Sequence, residues 1–253
     1  MSGSSFDTPE TQKELAIMEM NSFNHTRGTE TNCPKCKGRG YTMEVLKEFN
    51  NFYTVVVECS CMKNRKTETE VKKSGTRPLL DYSFENYNTV QDWQVNIKNK
   101  AMKNAKSKDW FFLGGQSGSG KTHICSAIAN YQRKNGVKVK YIVWTDEINK
   151  LKNFEDNSYM EELKRVECLY IDDFFKRPIT QGNLPNLSSP DIDKTWELIN
   201  FRSLNKLKTI ISSELTMNDL LRVEESLGSR IKQEAGEYAL SLKKDSAKNV
   251  RMQ

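Results

Sequence analysis

Eight residues constrain this chain more than any others: Gly115-Gln116-Ser117-Gly118-Ser119-Gly120-Lys121-Thr122. They fit G-x-x-x-x-G-K-[ST]. They follow the apolar run Trp110-Phe111-Phe112-Leu113 and lead into His123-Ile124-Cys125-Ser126-Ala127-Ile128-Ala129, which reads as a helix. Glycines let the backbone curl so that successive N–H groups face one centre, and the following helix N-terminus adds partial positive charge. The order strand, glycine loop, helix therefore predicts a cradle for a nucleotide's phosphates. Lys121 is expected to reach the β- and γ-phosphates, and the Thr122 hydroxyl to ligate Mg²⁺. The expected nucleotide-binding set is Gly115, Gln116, Ser117, Gly118, Ser119, Gly120, Lys121, Thr122 and His123, with His123 packed in the first helical turn rather than catalytic.

Fifty residues beyond Thr122 the apolar segment Cys168-Leu169-Tyr170-Ile171 ends in Asp172-Asp173. Such a strand is the second half that a phosphate cradle needs. Asp172 is expected to hold the Mg²⁺ shell and Asp173 to orient or activate the attacking water. Around these motifs, apolar runs at 110–114, 137–144, 168–172 and 209–213 alternate with helical patterns at 90–105, 122–135, 146–153, 159–165, 192–204 and 217–221. Short apolar strands separated by helices predict an α/β fold whose parallel sheet is covered on both faces.

The six cysteines divide sharply. Cys33, Cys36, Cys59 and Cys61 fall within residues 33–61, whereas Cys125 and Cys168 stand alone inside apolar segments and read as buried small hydrophobes. The spacing Cys33-x₂-Cys36, then 22 residues, then Cys59-x-Cys61 supplies four thiolates, the preferred set for a closed structural Zn²⁺ site. Gly38 would allow the tight turn of a knuckle that aims backbone N–H groups at sulfur. Between the pairs, 41–46 and 53–57 read as two strands joined by a turn with Asn50 and Asn51, so the expected module is a zinc ribbon. It would not fold without its metal. Ahead of it, 8–21 reads as a helix with Thr8 as N-cap, Pro9 in the first turn and an apolar stripe of Leu15, Met18 and Ile17. The expected division is a helical segment at 1–30, the zinc module at 31–63, a basic linker at 64–77 and the larger domain at 78–253.

Composition excludes several classes. No stretch approaches the ~20 apolar residues of a membrane span, and Met1–Asp7 lacks the features of a signal peptide, so a cytoplasmic location is expected. With only His25 and His123, neither a Cys–His nor a Ser–His–Asp nucleophile is available. The net charge of +6 is mildly favourable for contact with nucleic acid.

Gly120-Lys121-Thr122-His123, Ala127-Ile128-Ala129, Asp172-Asp173 and Thr209-Ile210-Ile211-Ser212-Ser213 together resemble AAA+ ATPases of the DnaC/DnaI type, the bacterial and phage loaders of replicative helicases. The ATPase subunits of insertion-sequence transposition are similar. The resemblance covers roughly residues 80–253, and the cysteine-rich module ahead of it is more like the DnaI-like and phage loaders. It implies an AAA+ P-loop sheet, ATP hydrolysis, partnership with a replicative DNA helicase and single-stranded DNA, and a homo-oligomer with ATP between subunits. By the same resemblance Ser213 would sense the γ-phosphate, although relatives place Asn where this chain has Glu214. Arg230, in Ser226-Leu227-Gly228-Ser229-Arg230-Ile231, would be the arginine finger reaching a neighbouring subunit, although relatives often carry a second Arg where Glu234 stands. Arg202 also matches a family arginine, and Lys248 or Arg251 would serve as a second sensor. Two other functions stay open: a transposition ATPase that binds duplex DNA, and a non-hydrolysing, zinc-dependent adaptor.

Overall fold

The computed structural model describes residues 8–28, 33–49, 51–59, 61–62, 77–152, 157–177, 184–243 and 245. Asn50, most of the expected linker, Lys248 and Arg251 lie outside the described residues. The chain divides into two compact units, Met1–Lys66 and Thr67–Gln253.

In the smaller unit, α1 (Pro9–His25) begins where its sequence dictates: Thr8 accepts the N–H of Thr11 and Pro9 occupies the first turn. It runs four residues past the expected end because its last turn is held by the antiparallel hairpin β1 (Tyr41–Glu48) and β2 (Asn51–Glu58). Asn24 donates to Met43 O at 3.0 Å and accepts from Met43 N at 2.9 Å, imitating a neighbouring strand, while Thr54 donates to Glu19 at 2.9 Å. The helix thus belongs with the cysteine module and not to a separate segment. The expected apolar stripe is corrected too: Leu15 and Met18 are exposed, and Ala16 is the residue that packs inward.

The larger unit opens with a 3₁₀ turn, Arg77–Asp81, tied to the body by Asn130 Nδ2, which donates to the carbonyls of Leu79 and Tyr82. The order is then α2 (Asp92–Asn104), β3 (Phe111–Gly114), α3 (Lys121–Lys134), β4 (Val139–Val143), α4 (Trp144–Leu151), α5 (Ser158–Arg165), β5 (Cys168–Asp172), α6 (Ser189–Leu204), β6 (Lys208–Ser213), α7 (Met217–Val223), α8 (Glu225–Ala235) and β7 (Ala239–Ser241). The strands form one parallel sheet in the order β4-β5-β6-β3-β7. Side chains alternate between its faces. Phe111, Leu113, Cys168, Tyr170 and Ile210 join one buried cluster, and Phe112, Leu169, Ile171 and Ile211 the other. Cys125 and Cys168 are fully buried in the first of these.

Two features depart from the sequence expectation. β7 was not expected; its three residues pair with β3, too short a run to show a period. Trp144 ends no strand but opens α4, its indole donating to Thr195 Oγ1 at 3.1 Å.

Candidate nucleotide-binding site

The carboxyl ends of β3, β5 and β6 lie side by side, with Gly114 paired in register with Ser213. This is where an open α/β sheet places its ligand. The loop after β3 turns into α3 through Gly120, whose φ of +77° only glycine adopts without strain. A Cβ there would also press on the Tyr87 ring at 3.2 Å. Inside the loop, Ser119 Oγ and Lys121 Nζ both donate to Gln116 O, at 2.8 and 2.7 Å. Gln116 pairs its side-chain amide with the backbone of Asp245, at 2.7 Å in each direction. The Lys121 ammonium lies in the loop's own concavity, and burial pushes its pKa down against the pull of Glu214 and Asp173.

A cleft of about 320 Å³ opens over this loop, lined among others by Tyr82, Lys121, Thr122, Asp173, Lys176 and Glu214. Its size lies within the range of ligand pockets. At its floor the Thr122 hydroxyl donates to Asp172 Oδ1 at 3.4 Å. The buried Asp172 carboxylate also receives the Tyr141 hydroxyl at 3.2 Å and the hydroxyl of Ser212. A hydroxyl beside a carboxylate oxygen is a donor set that suits a hard, oxygen-seeking cation such as Mg²⁺. Tyr141 and Tyr170 have pKa values driven upward, by burial first and then by the Asp172 charge, so both stay neutral; Tyr141 donates to the carboxylate, and the Tyr170 hydroxyl lies 3.2 Å from Ser212 Oγ.

The expected residues do not all converge. Lys121, Thr122, Asp172 and Asp173 share the cleft and its floor. Ser213 is different: fully buried, it donates to Phe174 O at 2.7 Å and accepts from Leu215 N at 3.1 Å. Successive strand residues face opposite sides, so Ser212 is the hydroxyl turned to Asp172 and Ser213 the one turned away from it. Arg230 lies against α6, its guanidinium 5.2 Å from the Trp196 ring and donating to Ser203 Oγ at 3.3 Å. Arg202 is wholly structural. It donates to the carbonyls of Leu163, Val166 and Lys208 at 2.8, 2.9 and 2.6 Å and to Thr209 Oγ1 at 3.0 Å, pinning the end of α5 to α6 and β6.

Sequence reasoning missed an aromatic wall. His123 stacks on Tyr82 with centroids 4.4 Å apart and meets Tyr87 edge-on, while its Nε2 lies 2.8 Å from Asn86 Oδ1 and 3.1 Å from Ser83 O. Burial lowers its pKa, so the ring is neutral at pH 7. The signal was present in Tyr82-Ser83-Phe84-Glu85-Asn86-Tyr87, an aromatic run too far from the loop to be joined to it without the fold. Lys176 was missed as well.

In the smaller unit the four thiols of Cys33, Cys36, Cys59 and Cys61 lie within 4.8 Å of one another. Cys33–Cys59 and Cys36–Cys61 sulfurs are 3.9 and 3.5 Å apart. Four thiolates bound at ~2.3 Å to one tetrahedral Zn²⁺ would stand about 3.8 Å apart, so the residues fit that ion. Gly38 takes the left-handed φ of +92° that turns the knuckle, and Gly40 N–H donates to Cys36 Sγ at 3.3 Å. That donor supports a thiolate from outside the ligand shell.

Comparison with known proteins agrees with this geometry. The model of the family described as IstB-like ATP binding protein matches residues 51–223. The phage-like element PBSX protein XkdC of Bacillus subtilis (strain 168) is 31% identical over 228 residues, spanning 83% of this chain and 82% of that protein. A protein named replicative helicase loader DnaC, from Buchnera aphidicola subsp. Schizaphis graminum, is 28% identical over 123 residues, or 44% of this chain and 50% of its own. A crystal structure of DnaI shares the fold, with a TM-score of 0.54 at 22% identity over 66% of this chain and 93% of that one. The parallel sheet is thus that of the AAA+ P-loop fold, and no described helix is long and apolar enough to cross a membrane. With more than half its length matched, the chain belongs to the IstB-like ATP-binding protein family.

Proposed function

We propose that this protein is an ATP-dependent loader of a replicative DNA helicase, binding and hydrolysing ATP to control its hold on helicase and single-stranded DNA. The observation that carries this reading is the convergence of Lys121, Thr122, Asp172 and Asp173 at one sheet edge. It stands in a chain whose relatives include a helicase loader by name. In this reading Lys121 holds the β- and γ-phosphates, Thr122 and Asp172 hold Mg²⁺, and Asp173 orients the attacking water. The loop Gly115–Thr122 cradles the phosphates, with His123 fixing the aromatic wall behind it. Arg230 leaves Trp196 to reach a neighbouring subunit's nucleotide in a homo-oligomer. Cys33, Cys36, Cys59 and Cys61 hold Zn²⁺ and keep the small unit folded for docking. Hydrolysis acts as a switch between affinities rather than as a source of chemical product.

Lys121→Ala is expected to abolish ATP binding in equilibrium titration; affinity at the wild-type level would remove the phosphate-cradle assignment. Pull-down from host cytoplasm with and without ATP tests the partner. Nucleotide-dependent recovery of a replicative helicase supports the loader, whereas a transposase would favour a duplex-DNA transposition ATPase. One observation favours a slower variant of the switch: Asp173 is ion-paired to Lys176 at 3.1 Å. Turnover unchanged in Asp173→Asn would remove the water-orienting role of Asp173, and no turnover in the parent protein would make it a non-hydrolysing adaptor.

A further inference from the structure

Phe174 and Phe175 follow Asp173 and are both buried in one core cluster, stacked with centroids 4.3 Å apart and edge-on to Trp144. A strand would send successive side chains to opposite faces. The backbone instead bends through left-handed conformations at Asp173 (φ +51°) and Phe175 (φ +58°). Phe174 N–H anchors the bend to Ser212 O at 2.9 Å, and Lys176 N–H closes it onto Asp173 O at 3.1 Å. Strain of this kind persists only where packing enforces it. Its result is that Asp173 and Lys176 both line the phosphate cleft, joined there by Glu214.

Lys176 Nζ stands 3.1 Å from Asp173 Oδ2 and 3.3 Å from Glu214 Oε1. Burial works against its charge, but the two carboxylates outweigh that and hold its pKa above the ordinary lysine value. Without the ammonium, two acids would face the most negative part of a nucleoside triphosphate, and like charges at that range repel. Lys121 already serves the loop itself, through Gln116 O. We propose that Lys176 is a second nucleotide-binding cation: it neutralises Asp173 and Glu214 in the free site and exchanges them for a terminal phosphate when one enters. Asp173 is thereby released to orient water only in the triphosphate state. This inference rests on the ATP-site reading above.

The test compares binding of AMPPCP, a non-hydrolysable ATP analogue, with binding of ADP by calorimetric titration. Lys176→Gln should weaken AMPPCP about tenfold or more and ADP far less, the loss expected for one charged hydrogen bond. Lys176→Arg should retain the wild-type ratio. In Lys176→Gln/Glu214→Gln, with one acid gone, part of the AMPPCP affinity should return. The three side chains are each more than a third exposed, so the variants should fold. Should Lys176→Gln nevertheless fail to fold, Glu214→Gln alone is read, and it should tighten AMPPCP relative to ADP. Equal weakening of both nucleotides, or none, overturns the inference while leaving the site intact. Wild-type protein that binds neither nucleotide overturns the site and the inference together.

Discussion

The two units reach order by different means. In Thr67–Gln253, both faces of a parallel sheet are covered, and Phe111, Phe112, Leu113, Ile128, Leu169, Ile210 and Ile211 are at most 1% exposed. In Met1–Lys66 the buried apolar residues among those described are Ala16, Cys36, Met43 and Cys59, and two of the four are thiols. A hairpin and one helix cannot bury enough surface to offset the entropy of ordering. The difference teaches that the smaller unit's core is its thiol centre, whereas the larger unit's core is built from apolar side chains.

The largest effect should therefore follow metal removal. Chelation, or Cys36→Ser, should unfold the smaller unit, since structural Zn²⁺ contributes roughly 10–16 kcal/mol in comparable small modules. Amide exchange should show residues of α1, β1 and β2 losing protection while those of the central sheet keep theirs. Equal protection of both units after chelation, with no metal found by elemental analysis, would erase the contrast.

The second effect strikes the larger unit in its own terms. Burial pushes the Arg202 pKa down to about 10, which leaves it charged at pH 7, fully buried and with carbonyls rather than an acid as partners. Arg202→Leu would keep apolar volume but strand the carbonyls of Leu163, Val166 and Lys208. Each buried unsatisfied group costs about 1–3 kcal/mol, so about 3–9 kcal/mol is expected for the three. In a unit of this size that is a fall in Tm of roughly 10 °C or more. Calorimetry should show one transition lowered and zinc content unchanged. An unmoved transition would mean that the arginine is not the pin the geometry makes it.

What the sequence disclosed follows the same division. Motifs that act through backbone and spacing were legible: residues 115–120 join β3 to α3, which opens on Lys121 and Thr122, the Asp172-Asp173 pair ends β5, and Cys33, Cys36, Cys59 and Cys61 gather their sulfurs. Properties that depend on which way a side chain turns were not. Ser212 and Ser213 are chemically identical, and only the strand's facing decides which meets Asp172. Lys176 looked like one basic residue among 39 until the Phe174-Phe175 bend aimed it at two acids. Arg202 matched a family arginine, but its role was hidden because its carbonyl partners come from two other parts of the chain. β7 and the Tyr82–His123 stack likewise rest on neighbours distant in sequence.

The smallest effect sharpens the contrast through pH. Burial lowers the pKa of His123 below its ordinary 6.5, with the Lys98 charge acting in the same direction against the Ser83 carbonyl. The unfolded chain therefore takes up this proton before the folded one does. Its contribution to stability is intact above pH 6.5 and is lost as pH falls from there toward the lowered native value. His123→Phe keeps a ring against Tyr82 but removes the titration. The larger unit's Tm, measured without nucleotide at about pH 7.5 and about pH 5.5, should fall more in wild type than in His123→Phe. The ring is only partly buried, so solvent screens the effect and the difference should be small. Parallel slopes in the two proteins would show that the stacked histidine titrates alike in both states, and that the aromatic wall exposes it as freely as an unfolded chain would.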